Sequence, residues 1–189
     1  MSGLFAAYDP RAGGSQCSGP PEALSIQPME DADVDEVAAI RSERNGGSLG
    51  EAVVWARSSL SRRSRAPDGL EVLVARIGAE AVGYGCVVRL APTPTAPRNA
   101  IPTGLYLGGV VVRARHRRRG VARELTARRL TWIYARSDSA YYFANSTNRA
   151  SHDLHVEFGF GEVRRGIWAP GVLFQGGEGV LYLARRPAG

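Results

Sequence analysis

The residues best suited to chemistry are the run Arg117-Arg118-Arg119-Gly120-Val121-Ala122, which stands between an apolar stretch and an amphipathic one. A strand that turns through a short loop into a helix leaves the helix's first backbone N–H groups unpaired, aimed at whatever sits above its N-terminus. A pyrophosphate suits that place. Gly120 lets the backbone approach a ligand with no Cβ in the way, and Ala122 keeps the first turn thin for the same reason. Arg113, Arg115 and the three loop arginines, with His116 among them, add cationic side chains around it. An Arg cluster by itself also reads as a solvated basic face; its place between strand and helix is what favours an anion site. A Walker loop needs Gly-Lys-Ser/Thr and a dinucleotide fingerprint needs three spaced glycines, and the run offers neither.

Composition narrows the chemistry further. All 24 basic residues are Arg, against 18 acidic ones, for a net charge of +6. With no Lys, Schiff-base and lysine-nucleophile schemes are excluded. The planar guanidinium fork suits phosphate and carboxylate ligands, so the excess points to an anionic ligand such as a phosphorylated cofactor or a nucleic acid. Cys17 and Cys86 lie far apart, and His116 and His152 have no second ligand at helical or turn spacing, so neither a disulfide framework nor a metal site is expected. No apolar run approaches the roughly 20 residues of a membrane span. The chain is therefore expected to be soluble and cytoplasmic.

The elements that must position the loop follow from periodicity. Residues 1–22 read as a tail, because Tyr8 to Pro21 is rich in Gly, Pro, Ser and Ala and carries too little apolar surface to offset the entropy of ordering. Residues 23–189, in a chain 44% hydrophobic, are expected to form one domain. Leu24 to Pro28 alternates as a strand. A capped helix follows from Asp31, carrying Val34, Val37, Ala38 and Ile40, and a second helix runs from Leu49 to about Ser61. Glu71 to Arg76 and Ala81 to Leu90 make a hairpin around Ile77-Gly78-Ala79-Glu80. After a proline-rich loop, Gly104 to Val112 is a strand whose Gly108-Gly109 pair predicts a bulge or a close backbone approach. Val121, Ala122, Leu125, Trp132 and Ile133 share one helical arc from Gly120 to about Arg136, with Arg129 intruding on it. Ala140 to Asn145 is a strand, Asn148 to Phe158 a helix closed by Gly159, and Gly161 to Trp168 and Gly179 to Arg185 are the final strands.

These residues resemble the GNAT superfamily of acetyl-CoA-dependent N-acetyltransferases over about 24 to 186. Its signature, Gln/Arg-x-x-Gly-x-Gly/Ala after an apolar strand, is matched by Arg117, Gly120 and Ala122, and a later Asn with a hydrophobic-Gly-Phe ending by Asn148 and Phe158-Gly159-Phe160. The resemblance implies an α+β, three-layer α/β domain: a mixed sheet of six to seven strands with a splayed parallel pair, 104–112 and 140–145, flanked by about four helices. It implies acetyl-CoA as cosubstrate. Val110, Val111 and Val112 would pair with the pantetheine arm, and a strand N–H near Val110 would polarise the thioester carbonyl. Arg117, Arg118, Arg119, Gly120, Val121, Ala122 and Arg123 would hold the pyrophosphate, and Asn148 the arm.

The catalytic groups depart from the family pattern. Where relatives place a Glu on either strand of the splayed pair, this chain has Tyr106 and Phe143; where many place a Tyr seven residues after the Asn, it has His155. An imidazole donates a proton near neutral pH, so His155 is the candidate acid, with Tyr106 a pocket wall or base. Glu43, Glu51 and Glu178 are further carboxylates in variable parts of the fold. The expected activity is acetyl transfer to a primary amine of a small molecule, aminoglycoside-like among others, by direct attack. A non-catalytic acyl-CoA sensor stays open, as does a homodimer. A nucleic-acid protein using Arg113 to Arg119 would explain the charge but not Asn148 or Phe158-Gly159-Phe160.

Overall fold

The computed structural model describes residues 23–187; the expected tail, 1–22, lies outside them. The alternating and Val-rich segments form seven strands, β1 (Leu24–Pro28), β2 (Leu70–Ile77), β3 (Glu80–Leu90), β4 (Gly104–Val112), β5 (Ser139–Asn145), β6 (Gly161–Arg165) and β7 (Gly179–Arg185). They make one sheet in the order β1-β2-β3-β4-β5-β7-β6. All neighbours are antiparallel except β4 and β5, which are parallel and registered at Tyr106 opposite Tyr141. The helices are α1 (Val34–Asn45), α2 (Leu49–Arg65), α3 (Val121–Tyr134) and α4 (Arg149–Val156). The fold class expected from the resemblance is the one observed.

Apolar side chains go to both faces of the sheet. On one face α1 and α2 bury Val37, Ile40 and Ala56 against Val72, Val74 and Tyr84. On the other, Val121 and Leu125 of α3 pack on Leu73, Ala75 and Val82, while Leu130 and Ile133 reach Leu105, Leu107 and Tyr142. A short 3-10 turn, Asp31–Asp33, leads into α1 and carries a capping box, in which the Glu30 backbone N–H donates to Asp33 Oδ2 at 2.7 Å.

Boundaries differ from the sequence reading where apolar periodicity fades. The second helix continues to Arg65 rather than Ser61 because its last turn holds itself: Arg65 Nη2 donates to Ser61 Oγ at 2.8 Å, and Arg62, Arg63 and Arg65 sit at the favourable end of the helix dipole. Strand β6 ends at Arg165 rather than Trp168 because Gly166 turns the chain at φ 63°. Among the described residues, no helix is long and apolar enough to cross a membrane, and no group of three His, Cys, Asp or Glu side chains is placed to hold a metal.

Candidate active site

The Gly108-Gly109 pair does make a bulge. Gly85 of β3 lies opposite Val110 and Val87 opposite Leu107, so Gly108 and Gly109 together face Cys86. The extra residue shifts the side-chain phase: Val110 and Val112 join the α3 face and Val111 the α1/α2 face. Gly109 is exposed, and a Cβ there would meet nothing within 4 Å. The bulge and the parallel pair act together. Beyond Tyr106 and Tyr141, β4 and β5 have no registered pair among the described residues, so the strands part along Leu107 to Val112.

That gap leads directly into the Arg loop. Arg117 is extended (φ −67°, ψ 158°), Arg118 is left-handed at φ 61°, and Gly120, the N-cap of α3, is left-handed at φ 80°. Left-handed residues alternating with ordinary ones turn successive N–H groups to one side, which forms an anion-binding concavity. Gly120 is required for its φ rather than for space, since a Cβ there would also meet nothing within 4 Å. Val121 is buried against the sheet and Ala122 is partly buried, so the apolar side of the first turn anchors the loop.

The basic cluster divides in two. Arg113 pairs with Glu43, and Arg115 with Glu80, so both are engaged by neighbouring carboxylates. His116, set among these arginines, is buried with Nε2 at 3.5 Å from Glu80 Oε2, because β3 brings that carboxylate beneath it. Arg117 folds back, its Nε donating to Val112 O at 3.1 Å. Arg118 and Arg119 are exposed, and Arg123 pairs with Glu157 at 3.0 Å across the gap between α3 and the end of α4. Arg117 also lines a cavity of about 70 Å³ with Glu43, Arg44, Val111, Val112 and Arg113. Burial, and then the charge of Arg117, pushes the Arg44 pKa down. Arg44, Arg113 and Arg117 thus gather at this end of β4 beside Glu43, with Glu80 3.9 Å from Arg113. A wider groove of about 510 Å³, lined by Asp31, Asp35 and Arg57 among others between α1 and α2, touches none of these residues.

The residues expected to handle protons are placed otherwise. His155 is 4% exposed, with Nδ1 2.7 Å from Ser151 O. Desolvation lowers its pKa to about 3, so at neutral pH the ring is uncharged, and its one N–H is assigned to Nδ1 by the Ser151 carbonyl. The imidazolium donor anticipated from its sequence position does not form in this environment, since no charge partner offsets the loss of water. Tyr106 is buried too. Its hydroxyl donates to Pro102 O at 2.5 Å, its ring stacks on Tyr141 and meets Phe143 edge-on, and burial pushes its pKa up. Its phenol is therefore held protonated and hydrogen-bonded to the backbone. Asn148 caps α4, its Oδ1 accepting from the Ser151 N–H at 3.2 Å. Cys86 lies across the ladder from the bulge, but burial lifts its thiol to about 11 and leaves it protonated.

The segment Trp168 to Gly177, whose sequence reads as a pocket rim rather than a flat peptide groove, lies in one of two loops that pack together over the sheet. The loops 91–103 and 166–178 are stitched by Ile101 N–H to Trp168 O and Trp168 N–H to Asn99 O, both 3.0 Å. They bring Ile167, Ala169 and Phe174 over Tyr106, Tyr141 and Phe143 on the sheet face opposite α3. Leu173, 78% exposed, and Trp168 stand at the rim.

Residues 35–160 match the model of the acetyltransferase (GNAT) family. Among solved structures, the chain is similar to the ribosomal-protein-alanine N-acetyltransferase of Brucella melitensis, at 22% identity and a TM-score of 0.65, covering 86% of this chain and 99% of that one. It is similar also to the yncA protein of Salmonella typhimurium, solved with its cofactor acetyl-CoA, at 16% identity and 0.63 over 86% and 94% of the two chains. An N-acetyltransferase of Staphylococcus aureus Mu50 is 15% identical at 0.64 over 86% and 98%. No curated protein matches the sequence. Identities this low bear on the fold alone.

Proposed function

This chain belongs to the acetyltransferase (GNAT) family, whose members use acetyl-CoA, and from that premise we propose that it moves the acetyl group to a primary amine of a small molecule by direct attack. The observation that carries the reading is the gap past Tyr106 and Tyr141, which opens onto the left-handed turns at Arg118 and Gly120. The residues present fit the cosubstrate. A pantetheine arm would pair with the backbone of Val110, Val111 and Val112 and run past Gly109, where no side chain intrudes. Its pyrophosphate would meet the N–H groups of Arg119 to Ala122, with Arg117, Arg118 and Arg123 around it. Asn148 would meet the arm with the part of its amide that the cap leaves over.

The amine nitrogen bonds to the thioester carbonyl carbon, the C–S bond breaks, and its electron pair leaves on sulfur. A strand N–H near Val110 donates to the carbonyl oxygen as negative charge gathers there. The nitrogen sheds its proton to water and the thiolate takes one back, because His155 and Tyr106 are both occupied elsewhere. The stitched loops with Phe174, Tyr106 and Phe143 support a walled pocket rather than an open peptide groove, which favours a small acceptor, aminoglycoside-like amines among them.

A second reading, an acyl-CoA sensor without turnover, is favoured by one observation: Tyr106 and Phe143 put aromatic rings where a carboxylate base would stand. The test joins thermal shift to thiol release. Acetyl-CoA should raise the melting temperature, by about 2.7 kcal/mol of stabilisation at a hundred times its Kd. Thiol release is then followed with monoamines, aminoglycoside-like polyamines and a peptide with N-terminal alanine, the acceptor in the Brucella protein's name. Turnover of a small amine supports the proposal. Release with the peptide alone moves the acceptor to a protein, a thermal shift without release selects the sensor, and no shift at millimolar acetyl-CoA overturns the cofactor assignment.

A further inference from the structure

Arg129 is the largest fully buried side chain in the protein's described residues, at 0% exposure, yet it stands on the apolar stripe of α3. A Leu or Met would fill the space without taking a charge out of water, which is costly unless its hydrogen bonds are well satisfied. Here they are. Nη1 donates to Gly108 O at 2.9 Å and Cys86 O at 3.3 Å, Nη2 to Thr126 Oγ1 at 2.9 Å, and Nε to Leu125 O at 3.2 Å. Two of these acceptors are the bulge itself, one from each strand. A Cβ on Gly85 would lie 3.0 Å from Nε, so β3 has a glycine where the guanidinium passes. Every acceptor is neutral, no carboxylate pairs with Arg129 among the described residues, and the nearby Cys86 thiol is protonated. Burial lowers the guanidinium only to about 10, so the charge persists at neutral pH.

We infer that Arg129 is a positioning residue for acetyl transfer: it clamps the two bulge carbonyls so that the β4 backbone from Gly109 to Val110 faces the gap, and it holds an uncompensated positive charge beneath that point. The charge favours the anionic states of thioester cleavage, on the carbonyl oxygen first and on the departing sulfur afterwards. The inference rests on the acetyl-CoA reading for the second half only; the clamp is a property of the protein alone.

The experiment therefore has two readouts. In the free protein, amide hydrogen exchange at Gly108, Gly109 and Val110 should accelerate at least about tenfold in Arg129→Met while the β1–β2 ladder is unchanged. Uniform acceleration, or none, overturns the clamp. In the complex with CoA, the thiol is titrated by the ultraviolet absorbance of its thiolate. Arg129→Met should raise that pKa by about one unit, and Arg129→Lys should return it toward the starting value. An unchanged thiol pKa in Arg129→Met overturns the electrostatic role, since a purely structural residue would not move it. Should Arg129→Met fail to fold, Thr126→Val removes one acceptor and should loosen the same three amides by a smaller factor; no change at them overturns the clamp. Should wild-type protein bind no CoA, the cofactor reading falls and the exchange result still decides the clamp.

Discussion

His155 lies face to face with Tyr142, their ring centroids 3.9 Å apart and their planes 15° from parallel. Tyr182 stacks on the same Tyr142 at 4.5 Å and Phe160 meets it edge-on at 5.0 Å. The histidine that sequence position would assign to proton transfer thus belongs to an aromatic stack joining α4 to β5 and β7.

A pH dependence follows. The unfolded His155 titrates near 6.5, the folded one near 3. Between those values the unfolded chain binds a proton that the native ring refuses, so stability is undiminished above about pH 6.5 and falls as pH drops toward 3. From pH 6.5 to 5 the loss should be about 2 kcal/mol from this residue. Denaturant unfolding of wild type and His155→Phe at both pH values checks it. Parallel losses in the two proteins would remove His155 as the cause. Turnover of His155→Phe should stay within about threefold of wild type at pH 7.5, where the neutral ring gives no proton.

The loop separates stability from affinity. Arg118 is a non-glycine residue at φ 61°, a conformation that costs such residues about 1–2 kcal/mol. Arg118→Gly should therefore raise the melting temperature of the free protein while weakening acetyl-CoA binding several-fold, through loss of the guanidinium. Calorimetry of both quantities is the check. A fall in melting temperature would show that the turn is not strained at Arg118.

Glycines on the two sides of the bulge should respond in opposite ways. At Gly109 a side chain enters open space, so Gly109→Val should fold with a stability within about 1 kcal/mol of wild type, yet bind acetyl-CoA at least about tenfold more weakly. At Gly83 a Cβ would lie 2.6 Å from Val111 O, so Gly83→Ala should destabilise the fold by about 1–3 kcal/mol. Unimpaired binding in Gly109→Val, measured by titration calorimetry, would move the pantetheine arm away from β4.

Much of the fold could be read along the chain because its signals are local. The alternation of β1, the hairpin at Gly78, the paired glycines of β4 and the Asn148 cap each depend on a few adjacent residues. The Arg loop was legible for the same reason. What could not be read depends on partners distant in sequence. Glu80 neutralises Arg115 and buries His116 from another strand, and Arg129 looked like a flaw in a helix until Gly108 and Cys86 were placed beneath it. The aromatic environment that holds His155 neutral is assembled from β5, β7 and Phe160, just before β6. No spacing rule within α4 carries that information, although the Tyr at 142 and 182 offered a faint sign of it.

The parting of β4 and β5 also has a meaning for how the chain reaches its shape. Strands β1 to β4 are neighbours in chain order and need nothing beyond residue 112 to pair, while β5, β7 and β6 form a second antiparallel group from the remaining chain. The junction between the groups is the one parallel strand pair among the described residues, reached through the α3 crossover, and such non-local pairing is slow. Assembly should thus proceed as two blocks that dock late, and pulse-labelled hydrogen exchange should protect 70–90 before 179–185. A cosubstrate lying in the seam would recognise the docked form alone. It would act as a strand that the chain itself does not encode, slowing the blocks' separation without hastening their formation.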